Sequence, residues 1–135
     1  MNDLFNANVS IAILRVSLGI VMLVHSLYLK LMVFTLAGAA QFFASLGLPE
    51  PLVYIVFFVE VIAGVALILG FKTRFFSALI VPILLGATWA HFANGWLFTN
   101  TGGGWEYPLL LSLMAFAQIG LGDGKYALGG FLSKQ

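Results

Sequence analysis

The sequence predicts an all-α integral membrane protein, a four-helix transmembrane bundle with a short interfacial helix between its first and second crossings. Three observations predict it. Hydrophobic residues make up 61% of the 135-residue chain and charged residues 8%, with a mean hydropathy of +1.06. That leaves too few polar side chains to cover a water-soluble globule. Four apolar segments stand out, at residues 9–32, 52–70, 75–94 and 107–122, at or near the length that crosses about 30 Å of hydrocarbon as a helix. None shows the alternation of a barrel strand, and a helix satisfies its own backbone groups, as lipid demands. Residues 1–135 read as one compact membrane domain.

The first helix, 9–32, is apolar but carries Arg15, His25, Ser26 and Lys30. The connection that follows contains FTLAGAAQFFASLG, an amphipathic piece ended by Gly47 and Pro49, which reads as a short helix at the outer interface. The second helix, 52–70, holds one charge, Glu60, near its middle. A lone carboxylate at that depth is costly and marks binding or proton movement by default. Ala63 and Gly64 sit one turn on and let a neighbouring helix approach. The turn FKTRF leads into the third helix, 75–94, with Pro82 a candidate kink and His91 near the far end. The loop NGWLFTNTGGGW reads as a flexible connector with Trp96 and Trp105 as membrane-belt anchors. The fourth helix, 107–122, is the shortest and the most easily tilted.

Several function classes fall away. A net charge of +1 and no run of Lys or Arg give no footprint for nucleic acid. With no cysteine, the chain itself carries no disulfide, thiolate metal site or dithiol relay. No HExxH or comparable spacing is present, so no structural metal is expected. The start, MNDLFNAN, has Asp3 and no basic residue, so it reads as a mature N-terminus rather than a cleavable signal. Lys72, Arg74, Lys125 and Lys134 fall on one face of four crossings. The positive-inside rule makes that face cytoplasmic, with both termini there and Lys30 as the outer exception.

At about 1.5 Å per residue, His25 and His91 share one depth, with Glu60 roughly 6 Å beneath them and Lys30 and Glu106 at the outer rim. At about 100° per residue, Arg15, Ser26 and Lys30 share an arc, with His25 to the other side of Arg15. The expected cavity is lined by His25, His91, Glu60 and Glu106. Each histidine also reads as a simple interhelical hydrogen-bonding residue, and so does Gln118. Arg15 either snorkels to the near face or pairs with Glu60.

The runs GIVMLVHSLYLKL, FFASLGLP and VEVIAGVALILGFKTR, followed by His91 and Glu106, resemble the DoxX family of small four-helix bacterial inner-membrane proteins along nearly the full chain. Residue by residue the pattern matches at His25, Lys30, Gly47, Pro49, Glu60, Gly64, Gly70, His91 and Glu106. The resemblance implies an inner-membrane bundle whose relatives include quinone-reducing subunits of thiosulfate oxidation and partners in membrane thiol-redox complexes. Without cysteine, a redox role here requires quinone or a partner protein. The expectation is a membrane subunit that binds a quinone or similar small molecule, with no covalent cofactor, in contact with the lipid bilayer and a redox partner. Glu60, His91 and His25 would be its catalytic residues, and Lys30, Glu106 and Arg15 its binding residues. A small-solute or proton transporter, for which a homo-oligomer would supply the pathway, and a structural scaffold are the rival classes.

Overall fold

The computed structural model describes residues 6–132, so Asp3 and Lys134 lie outside the described residues. Helix α1, Ala7–Leu23, begins where the Asn6 side chain accepts the Val9 N–H at 3.2 Å, a side-chain cap on an otherwise open first turn. It does not remain an α-helix. From Val24 to Val33 the chain winds as a π-helix, and the Phe34 N–H donates five residues back to the Leu29 carbonyl at 2.8 Å. The two pieces together, Ala7–Val33, are long and apolar enough to cross a membrane.

Thr35, at φ 62°, breaks the π segment. A β-branched residue rarely adopts that conformation. Here it turns the chain sharply into α2, Thr35–Ser45, while its hydroxyl accepts the Gly38 N–H at 3.1 Å. Gly47, at φ 78°, ends this short helix. Helix α3, Leu52–Leu69, stops at Gly70, where φ is 73° and Phe71 N donates to the Ala66 carbonyl at 2.9 Å, the closure that glycine permits after a helix. Helix α4, Thr73–His91, follows and runs unbroken through the exposed Pro82. A single 3-10 turn, Phe92–Asn94, leads to the glycine-rich loop. Helix α5, Glu106–Leu121, is apolar but shorter than the three spanning candidates, and α6, Leu128–Leu132, ends the described chain.

The four long helices pack in a ring, α1 on α3, α3 on α4, α4 on α5 and α5 back on α1. Leu18 and Met22 of α1, Ala63 and Leu67 of α3, Ile80 and Leu84 of α4, and Leu111 and Ala115 of α5 meet in its core. Helix α2 lies on α3 through Ala39, Ala40 and Val53. The outside is apolar as well: Ile55, Phe58, Leu113 and Phe116 are all more than half exposed. Such a surface suits lipid rather than water. Helices α1 and α3 cross closest at Gly19 and Gly64, where a Cβ on Gly64 would stand 3.0 Å from the Gly19 carbonyl oxygen. Small residues at that level allow the approach; the partner glycine, Gly19, was not singled out from the sequence.

The glycine-rich loop is tied down rather than slack, contrary to the expectation of a flexible connector. Asn94 donates its side-chain amide to the Gly102 carbonyl at 3.1 Å, and Asn100 returns one to the Asn94 carbonyl at 2.9 Å. Trp105 and Glu106 donate their backbone N–H groups to the carbonyls of Gly95 and Trp96. Trp96 packs edge-on against Trp105, with ring centroids 4.5 Å apart.

Candidate functional site

Glu60 points from α3 into the bundle and is 4% exposed. Its carboxylate is held by Lys30, whose ammonium lies 2.8 Å from one oxygen and 3.0 Å from the other. The partner is Lys30 from the π segment, and Arg15 has no part in the pair. The winding explains the geometry. Residues 25 and 30 would stand about 140° apart on an α-helix, whereas the wider π turn hydrogen-bonds residues five apart and brings them closer to one face. Lys30 reaches α3, and the His25 ring falls within electrostatic range of the Glu60 carboxylate. Between them Ser26 is fully buried and donates its hydroxyl to the Met22 carbonyl at 2.9 Å.

Both histidines are anchored in the same manner. Nδ1 of His25 lies 2.9 Å from the Val21 carbonyl, and Nδ1 of His91 lies 2.8 Å from the Ala87 carbonyl. A carbonyl only accepts, so each Nδ1 carries the hydrogen, and in the neutral ring Nε2 is left as an acceptor. His25 stacks against Tyr107 of α5 at 6.4 Å, with planes 29° apart. His91 lies against Phe42 of α2 at 6.4 Å, and a Cβ on Gly103 would come within 3.3 Å of its ring. The glycine-rich loop therefore lies directly on His91.

The structure brings His25, Lys30 and Glu60 together. His91 sits at the same end of the bundle, but among the described residues no ring contact joins it to His25. Glu106 is committed elsewhere: its Oε1 accepts the Phe98 N–H at 3.0 Å, which braces the glycine-rich loop. Tyr107 and Phe42, which flank the two rings, had no sequence signal beyond Tyr107 being next to Glu106.

Arg15 lies at the opposite end. Its Nη1 donates to the carbonyls of Leu67 and Ile68 at 2.6 and 2.8 Å, and Nη2 donates to the Tyr126 carbonyl. Leu67 and Ile68 belong to the last turn of α3, whose carbonyls have no partner within the helix, so the guanidinium closes the helix end. It is 2% exposed and does not reach solvent by snorkelling. Asp123 faces it electrostatically and also accepts the Thr73 N–H at 2.8 Å, capping α4 from outside. Gln118 donates to the Gly122 carbonyl at 2.8 Å, so its amide closes the end of its own helix.

Residues 10–93 match the DoxX family. The chain is 39% identical over 75 residues to a Bacillus subtilis (strain 168) protein named "Putative oxidoreductase CatD". The match covers 56% of this chain and 54% of that protein, so the chain spans about half of the relative's length. No solved structure matches.

Proposed function

The chain belongs to the DoxX family, and from that premise we propose that it is a membrane subunit that binds a quinone or a similar small molecule at the Lys30–Glu60 end and supports redox chemistry with a partner protein. The forked ion pair inside an apolar bundle, with His25 beside it, carries this reading. Helix packing alone does not call for it, because apolar residues of similar volume hold a bundle equally well or better. The name of the Bacillus subtilis relative points in the same direction.

A quinone accepts two electrons and two protons on its way to the quinol. The residues here suit such a ligand. The Lys30 ammonium donates to a carbonyl oxygen, and Glu60, freed from Lys30 when that happens, holds or passes a proton at its carboxylate. Nε2 of His25 accepts from a hydroxyl or, once protonated, donates to a carbonyl. His91, under the outer loop, offers the same chemistry on the α4 side. Electrons come from a partner, because a chain without cysteine has no dithiol to supply them.

The membrane in this reading is the bacterial inner membrane, with Lys72, Arg74 and Lys125 on the cytoplasmic side. Phosphatase and fluorescent reporters fused in parallel after Gln135 test it: fluorescence without phosphatase activity is expected, and the reverse overturns the orientation. For the ligand, the chain is purified from its native membrane and extracted for mass spectrometry. Quinone extracted with the wild-type chain and lost from Lys30→Met supports the reading. A wild-type chain that carries no quinone and brings down no redox protein overturns it.

A further inference from the structure

A groove of about 440 Å³ opens at the other end of the bundle, beside the turn between α3 and α4. Lys72, Thr73, Arg74 and Asp123 form its polar side; Phe71, Phe75 and Phe76 form its apolar side. Lys72 and Arg74 are exposed, and among the described residues neither is in an ion pair. Asp123 lines the same groove, with its carboxylate held by the Thr73 N–H and facing the buried Arg15. Two exposed cations against one carboxylate leave the groove with a net positive charge.

Further observations point to an anion here. Thr73 is fully buried, and its hydroxyl has no hydrogen-bond partner, an unmet need that is rare inside proteins. The groove lies at the N-terminus of the 19-residue α4, where the helix field is positive and the Asp123 carboxylate already takes the Thr73 N–H, so an added anion relies on the side chains of Lys72 and Arg74. Lys72 is held at φ 45°, a strained conformation for a residue with a side chain. Its ammonium stands 5.6 Å from the Phe71 ring centroid, so charge and aromatic surface are presented together.

We propose that this groove binds the headgroup of an anionic phospholipid, with its phosphate between Lys72 and Arg74 and an acyl chain along Phe71 and Phe75. A free phosphate shares the headgroup's chemistry but has no use for the aromatic side. Phe71 and Phe75 are 37% and 59% exposed, and the groove sits at the ends of two apolar helices long enough to span a bilayer, the level at which headgroups lie. A zwitterionic lipid brings its own cation toward two others.

The test uses the full chain purified in detergent and three probes: short-chain phosphatidylglycerol, short-chain phosphatidylcholine and inorganic phosphate. Native mass spectrometry reads the retained lipid, and thermal unfolding reads the shift. Phosphatidylglycerol is expected to be retained and to raise the unfolding temperature; the other two probes should do neither. The double variant Lys72→Gln, Arg74→Gln should lose about thirtyfold in retention, while Lys72→Arg, Arg74→Lys keeps it. Phe75→Ala should weaken retention without abolishing it. Both charge variants alter exposed side chains, and their unfolding without lipid should match wild type. Equal retention of phosphatidylcholine, or full retention by the Gln variant, overturns the proposal. Displacement by inorganic phosphate at equal concentration makes the groove a free-anion site and overturns the lipid assignment. None of these outcomes bears on the ligand at the Lys30–Glu60 end.

Discussion

At one end of the bundle Arg15 gives its guanidinium to three backbone carbonyls; at the other Lys30 gives its ammonium to a single carboxylate. Both cations sit in helix α1 or its continuation, and both reach α3. The difference lies in what the partners can do. A guanidinium does not lose its proton in proteins and a carbonyl never gains one, so the Arg15 end is fixed in charge and geometry. Lysine and glutamate each exchange protons, and each can trade the other for a ligand. One contact fastens helix ends; the other can be opened and remade.

The largest expected effect is at the fixed end. Arg15→Ala leaves the carbonyls of Leu67, Ile68 and Tyr126 without their donor and Asp123 without its facing cation. Hydrogen bonds to a charged group and loss of one buried charge partner together predict about 4 kcal/mol of destabilisation. Thermal unfolding in detergent measures it. Arg15→Lys should recover little, since a single ammonium does not reproduce the planar fork. A variant that unfolds like wild type but has lost its ligand would move Arg15 into the binding site and erase the contrast between the ends.

Lys30→Ala comes next, at about 3 kcal/mol, because Glu60 is left buried with its charge unpaired. The companion is Lys30→Met with Glu60→Leu. Replacing both partners by apolar groups should return stability to within about 1 kcal/mol of wild type or above it, yet quinone retention should stay lost. If the double variant is as unstable as the single one, the pair is a fastening like that of Arg15.

Part of this contrast was legible in the sequence. Four apolar segments and one carboxylate near the middle of the second, Glu60, follow from what lipid tolerates, and the bundle followed from them. The glycine closure at Gly47 was equally readable. The partner of Glu60 was not, because an arc drawn at 100° per residue holds only while the helix stays α. Once Val24–Val33 winds as a π-helix, His25 and Lys30 come closer together around the helix. The role of Arg15 was hidden for another reason: its partners are backbone carbonyls, which no side-chain pattern announces. Three glycines in a row suggested slack in the loop before α5, whereas the amides of Asn94 and Asn100 hold it closed. Glu106, expected at the site, is spent on the same loop.

Gly64→Ala tests whether the ends are coupled, since it sits between them. The added methyl would stand 2.8 Å from Leu23 Cγ and 3.0 Å from the Gly19 carbonyl oxygen. Overpacking of that kind costs about 2 kcal/mol. Leu23 is the last α residue before the π segment, so a shift there reaches His25 and Lys30 directly. If the ends are independent, folded protein retains whatever ligand the wild-type chain carries while the unfolding temperature falls. Joint loss of both would mean that the α1–α3 crossing sets the geometry of the ion pair.

The smallest expected change in stability belongs to the variant that matters most for function. Glu60→Gln keeps the length and shape of the side chain, and its amide oxygen still accepts a hydrogen bond from Lys30. What disappears is the charge and the exchangeable proton. Lys30, with 17% of its side chain exposed, retains access to water, so about 1 kcal/mol of destabilisation is expected. If Glu60 holds or passes a proton for the ligand, this well-folded variant should lose partner-coupled turnover in reconstituted membranes, and substituting Asp should restore part of it by returning a carboxylate one carbon short. Full turnover in Glu60→Gln would make the carboxylate a hydrogen-bond acceptor only. Full turnover in Glu60→Leu as well, at wild-type expression, would reduce the Lys30–Glu60 contact to a fastening and leave the two ends of the bundle alike.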